Sequence, residues 1–234
     1  MKIKYRNYLR AIEYVRPFMN YSLTCETDIP EKKTLLISAN QVDETAACAG
    51  TLIKHVKSGG SLETVFCVYE STKRMKEAEK AAAAIGSKIN HFLQLHPKSL
   101  DGNALFEKNL TAVFYKVKPE AVFLPFAIDA NTDNAAVSQA IIKIKNKTKF
   151  HFIVYAYFAS TFISPNAVFD ISDVWEEKKK AIECYKTVCQ EKDYVKTIEG
   201  VNAYFARFTG KAQYAEAFFK ATSYEYAALA KEIL

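Results

Sequence analysis

Four short apolar runs, each followed by a segment with apolar positions at helical spacing, most constrain the fold of this 234-residue chain. The runs are Thr34–Ser38, Leu62–Tyr69, His91–Leu93 and Ala121–Leu124, and a fifth spans Phe150–Ala156. The segments Glu44–Lys57, Lys73–Ile85, Ala104–Val117 and Asp133–Lys145 fall after the first four runs. Ser58-Gly59-Gly60 and Gly86 close the first two helices, and Pro119 stops the third. Continuous rather than alternating apolar strands are those buried on both faces. Together with the intervening helices they predict βαβ units and a Rossmann-like α/β fold, its mostly parallel sheet flanked by helices on both faces. In such sheets ligands gather outside the carboxyl ends of the strands. The loops after Ser38, Tyr69, Leu93 and Leu124 are therefore where chemistry is expected.

After Pro165 the pattern changes. Val168–Ile171 reads as a short strand. Trp175–Cys189, Lys192–Arg207, Tyr214–Phe219 and Ser223–Ile233 read as helices, a helical C-terminal cap. Residues 31–234 are read as one domain and residues 1–30 as a basic N-terminal extension, helical over 3–16. Lys2, Lys4, Arg6, Arg10 and Arg16 stand there against Glu13. A solvated helix face is the preferred reading of that basic start over contact with a membrane surface; no nucleic-acid partner is expected. No secretory signal and no membrane span is legible. The five cysteines lack CxxC spacing, so reduced thiols and a cytoplasmic location are expected. There is no GxGxxG, P-loop, GxSxG or HExxH, so nothing supports a nucleotide cofactor.

The segment Ala39-Asn40-Gln41-Val42-Asp43-Glu44-Thr45, running on to Gly50-Thr51, sits after the first strand. Asp129-Ala130-Asn131-Thr132-Asp133-Asn134 sits after the fourth. Between them lie Arg74-Met75-Lys76-Glu77 and Ala84-Ile85-Gly86; beyond them come Asp170-Ile171-Ser172, Lys178–Tyr185 and Ala215-Glu216-Ala217-Phe218. In this order the pieces resemble the motifs of the PIG-L/LmbE-like zinc N-deacetylases over residues 34–219. The resemblance implies that family's fold. It also implies a site in which a His and the second Asp of the first motif, with the last His of the second motif, bind zinc. The first Asp of the pair is then the general base, and the first His of the second motif stabilises the tetrahedral intermediate.

Carried onto this sequence, the zinc positions become Asn40, Asp43 and Asn134, the base becomes Val42, and the oxyanion position becomes Asn131. A neutral amide oxygen suits hard cations rather than zinc. Without zinc, the attacking water keeps the high pKa of bulk water instead of one of roughly 7. Val42 has no lone pair and cannot take a proton. The expectation is therefore a metal-free relative with no catalytic residues and no cofactor, whose pocket is still polar. The expected pocket residues are Asn40, Asp43, Glu44, Glu70, Arg74, His96, Asp129, Asn131, Asp133 and Asn134. A competing reading makes Asp43 and Glu44 helix caps, and Asp133 likewise.

Of the four histidines, His55 is expected at the surface, and His91 and His151 at the sheet end opposite the pocket. Only His96 can approach it. Glu70 is a possible base, and Cys48 is read as a packing residue. The leading function is binding of an amino-sugar-like or other polar ligand, or of a protein partner. The alternatives are an active hydrolase with a site rebuilt from Asp43, Asp129, Asp133 and His96, and a structural protein whose pocket is closed by Tyr185 or Tyr214.

Overall fold

β2 (Lys33–Ser38) pairs in parallel with both β3 (Ser61–Val68) and β5 (Ala121–Pro125), so the first motif leaves the middle of the sheet. β4 (Ile89–Leu95) extends the sheet beyond β3, and β6 (Ile153–Tyr157) continues it beyond β5. In this computed structural model, Arg10 and residues 25–148, 150–161, 164–191 and 193–233 are described; apart from Arg10, which is helical, the helix expected over 3–16 lies outside them. The described strands form one sheet of order β1-β7-β8-β6-β5-β2-β3-β4. β7 is Ala167–Asp170, and β8 (Ala215–Thr222) runs antiparallel between β6 and β7. β1 (Cys25–Glu26), from the segment read as an extension, pairs in parallel with β7.

Because side chains alternate across a strand, the central strands supply two cores. Leu35, Ile37, Val65, Val122, Leu124 and Val154 pack with α3 (Ala104–Val117), α4 (Thr132–Lys147) and α8 (Ser223–Ile233). Leu36, Leu62, Phe123, Tyr155 and Tyr157 pack on the other face with α1 (Asp43–Lys57) and α5 (Trp175–Glu183). Phe66, on that same side, packs with α2 (Thr72–Ile85). Phe123 stacks on Tyr155 with centroids 4.7 Å apart. No helix among the described residues is long and apolar enough to cross a membrane.

Three expectations are corrected. Tyr214–Phe219 is not a helix. Its Ala-rich composition favours one, but Ala215 and Ala217 pack beneath Phe158 and Phe205 while Phe218 fills the opposite core, so both faces of a strand are covered. The helix expected over 175–189 breaks at Tyr185; α6 (Lys186–Cys189) follows, and α7 (Tyr194–Ala206) continues the cap. His55 is not at the surface but 4% exposed, its Nε2 3.0 Å from Thr34 Oγ1. Gly60 backs onto the imidazole so closely that a Cβ there would lie 2.1 Å from it, which is why a glycine follows that helix. Burial lowers the His55 pKa.

Gly50 lets α1 lie against Ile171: an added Cβ would meet Ile171 Cβ and Cγ2 at 2.8 Å. Overpacking of this kind costs about 1–3 kcal/mol. Gly50→Ala is therefore expected to lower the urea midpoint at unchanged m. Adding Ile171→Val should return part of the loss.

Candidate functional site

β2 ends at Ser38 and the chain turns through Asn40-Gln41-Val42 into α1. Val42 holds φ 96° and ψ −35°, a conformation that strains a β-branched residue by about 1–3 kcal/mol. Two residues on, the Glu44 carboxylate is buried and accepts four hydrogen bonds. Ser38 Oγ (2.8 Å) and the Val42 N–H (3.0 Å) donate to Oε2; Thr45 Oγ1 (2.8 Å) and the Tyr185 hydroxyl (2.6 Å) donate to Oε1. Glu44 thus locks the turn from within. Burial and Glu44 together push the Tyr185 hydroxyl far above its ordinary pKa.

The second motif enters α4 with Asn131 as its N-cap, Oδ1 accepting the Asp133 N–H at 2.9 Å. Asp133 therefore does not cap this helix, contrary to the competing reading. Its carboxylate instead accepts the N–H groups of Lys98 and Leu100, pinning the loop after β4. Asp129 is likewise consumed. Its Oδ1 accepts from Asn131 N (2.8 Å) and Asn134 Nδ2 (3.0 Å), and Oδ2 accepts from Ser160 N (2.9 Å) and Thr161 N (3.2 Å). At α1 the N-cap is Val42, whose side chain makes no cap bond; Asp43 and Glu44 lie in the first turn, and Glu44 accepts the Val42 N–H.

The structure does bring the three zinc positions of the resemblance together. Asn40 Nδ2 donates to Asn134 Oδ1 at 3.1 Å, and Asn134 also hydrogen-bonds Asp43. Burial, and then Glu44, Asp129 and Glu70, push the Asp43 carboxyl up to about 7, against the opposing Asn134 bond. Glu70 lies 3.3 Å from Arg74 Nε, and Arg74 stands over the Tyr185 ring at 5.9 Å. His96 is exposed on the loop after β4, its carbonyl accepting from Ser99 Oγ at 2.6 Å. At Asn131 opens a shallow cleft of about 470 Å³, lined also by Lys98, Ala130, Thr132 and Ser160.

Zinc does not fit this donor set. The Asn134 amide oxygen is taken by Asn40, both Asn groups are neutral, and Asp43 is the one carboxylate of the three. In a rebuilt set, Asp129 and Asp133 would contribute carboxylates that already accept backbone N–H groups on both oxygens. Among the described residues no cluster of three His, Cys, Asp or Glu side chains is placed to hold a metal ion.

Sequence reasoning missed Lys98, Thr132 and Ser160. The first two lie in or beside loops marked for chemistry; Ser160 follows β6, which was not. Tyr194, packed near Ala46 on the turn after Asp43, was also missed, since nothing local marks its place. Of the two tyrosines suspected of closing the pocket, Tyr185 is buried on Glu44, whereas Tyr214 stacks on Trp175 at 4.4 Å and donates to Glu199. Cys48 is fully buried, and burial pushes its thiol far up, as befits a packing residue.

A folded-state pKa raised above that of the unfolded chain means the native state binds the extra proton between the two values. Stability is then full below the unfolded value of 3.8 and falls as pH rises to about 7. Asp43→Asn is expected to flatten this slope and to stabilise the protein above pH 7 by on the order of 2–4 kcal/mol. Urea midpoints across that pH range check it; an unchanged slope would contradict the assignment.

No family model matches this chain. Solved structures match its fold at low identity. A conserved protein, TT1542, from Thermus thermophilus is 19% identical with a TM-score of 0.71, covering 80% of this chain and 93% of that one. The N,N'-diacetylchitobiose deacetylase from Pyrococcus horikoshii is 19% identical with a TM-score of 0.70, covering 84% and 86%. GalB, a 4-carboxy-2-hydroxymuconate hydratase from Pseudomonas putida, is 21% identical with a TM-score of 0.66, covering 81% and 96%. The chain thus has the α/β fold found in deacetylases. That a hydratase shares it means the fold alone does not set the reaction.

Proposed function

We propose that this chain is a deacetylase-fold protein that binds a polar, amino-sugar-like ligand at the carboxyl ends of its strands and does not perform metal-assisted hydrolysis. The reading rests on the Asn40–Asn134 pair. Two amides bonded to each other hold positions where the resemblance requires imidazoles, so the loops stay together without an ion between them. Val42 supports it, since an isopropyl group stands where a base would abstract a proton. The cleft at Asn131 offers Lys98, Asn131, Thr132 and Ser160, which can hydrogen-bond hydroxyls and amides. The ligand class is suggested by the chitobiose deacetylase that shares the fold.

The test titrates glucosamine, N-acetylglucosamine and N,N'-diacetylchitobiose by calorimetry and measures acetate release from the acetylated sugars. Saturable binding weakened by Lys98→Ala and Thr132→Val, with no acetate above the buffer rate, is the expected result. Acetate release that scales with protein and disappears in Asp43→Asn would sink the non-catalytic reading. Absence of binding to all three sugars would sink the ligand class.

A further inference from the structure

The end of the sheet opposite the cleft is a lysine face. Lys32 and Lys33 open β2, Lys88 precedes β4, and Lys118 precedes β5. α3 and α4 also end here, bringing Lys116 from one and Lys145 and Lys147 from the other. None of these seven forms an ion pair among the described residues, and all except the half-buried Lys145 are exposed. Three carboxylates nearby accept hydrogen bonds from the protein rather than pairing with the side chains of these lysines. Glu120 accepts the N–H groups of Lys32 and Lys33, Glu225 accepts from Thr222, and Glu31 accepts the Tyr155 hydroxyl.

Two tyrosines protrude from the same end. Tyr115 is 56% exposed and meets Phe150 edge-on; Tyr224 is 68% exposed, with the Lys145 ammonium 4.0 Å from its ring centroid. β1 runs in the direction of the main strands, so Cys25 enters the sheet at this end. The sequence ahead of it carries Lys2, Lys4, Arg6, Arg10 and Arg16 against Glu13.

We infer that this face docks on an anionic phospholipid surface, leaving the cleft open to solution. Lysines are compact point charges suited to the diffuse potential of a charged leaflet, whereas nucleic-acid contacts favour arginine's bidentate fork; every cation named on the described face is a lysine. Tyrosine, apolar in body and polar at its tip, is a residue of membrane–water interfaces. The lysines span the starts of β2, β4 and β5 and two helix ends, a spread over the end of the sheet that matches a plane.

The full chain is floated with vesicles of phosphatidylcholine alone or with about one-third phosphatidylserine. It is expected to bind the anionic vesicles only, and to be released near 1 M salt, where the screening length falls to about 3 Å. Each lysine near the surface contributes about fivefold. The triple variant Lys116→Gln, Lys145→Gln, Lys147→Gln should therefore lose on the order of a hundredfold in partitioning. Tyr115→Ala with Tyr224→Ala should weaken it further, and Lys211→Gln, in the loop leading into β8 at the opposite end, should not. Circular dichroism verifies that each variant is folded. Failure to bind anionic vesicles, undiminished binding by the triple variant, or retention by a single-stranded oligonucleotide in place of vesicles would each overturn the inference.

Discussion

Glu216→Ala is expected to destabilise the protein by about 3–5 kcal/mol, the loss usual when one partner of a buried ion pair is removed. Glu216 and Lys178 have fully buried side chains, with Lys178 Nζ 2.6 Å from Glu216 Oε1. The pair is built into α1. Lys178 also donates to the Ala46 carbonyl at 2.6 Å, while Glu216 accepts the Gly50 and Thr51 N–H groups at 2.8 Å each. Removing the carboxylate strands an ammonium and two helix N–H groups in a dry core. The double variant Lys178→Met, Glu216→Leu leaves no buried charge and should recover part of the loss, although the two N–H groups stay unpaired. Urea unfolding of the three proteins measures this. A single variant within about 1 kcal/mol of the parent would mean water reaches the pair.

The second large effect is a gain. The quadruple variant Asn40→His, Val42→Asp, Asn131→His, Asn134→His should fold and acquire zinc affinity well beyond the ~10–100-fold that outer-shell partners alone contribute. The backbone is ready for it. Positions 40, 43 and 134 already meet through side-chain hydrogen bonds, and Asp accepts positive φ at position 42 better than Val does. The cost is the Asn131 cap, about 1 kcal/mol. If the variant did not fold, the idea that the pocket's frame persists would be wrong.

The central sheet was legible because strands buried on both faces read as unbroken apolar runs, and three of the intervening helices carry a stop signal, Gly86 and Pro119 among them. β8 was not, because Ala215–Thr222 is a strand only by virtue of the neighbours that cover both its faces. At the site, the resemblance implied that Asn40, Asp43 and Asn134 belong to one place, and Asn40 and Asn134 are hydrogen-bonded to each other. It could not foretell that Glu44, Asp129 and Asp133 face inward. Their partners are Tyr185, Ser160 and Lys98, between 31 and 141 residues away, and such pairings belong to the tertiary fold. The capping role of Asn131 is open to sequence reasoning, since Asn two residues before Asp at a helix start is a capping signal. Matching that position to a catalytic one hides it.

The central claim is the absence of zinc chemistry at Asn40, Asp43 and Asn134. Elemental analysis of the purified protein, with a zinc titration by calorimetry, tests it most directly. The expected result is no stoichiometric zinc and no micromolar binding. One tightly held zinc per chain, released by Asp43→Ala, would contradict the claim and restore the hydrolase reading.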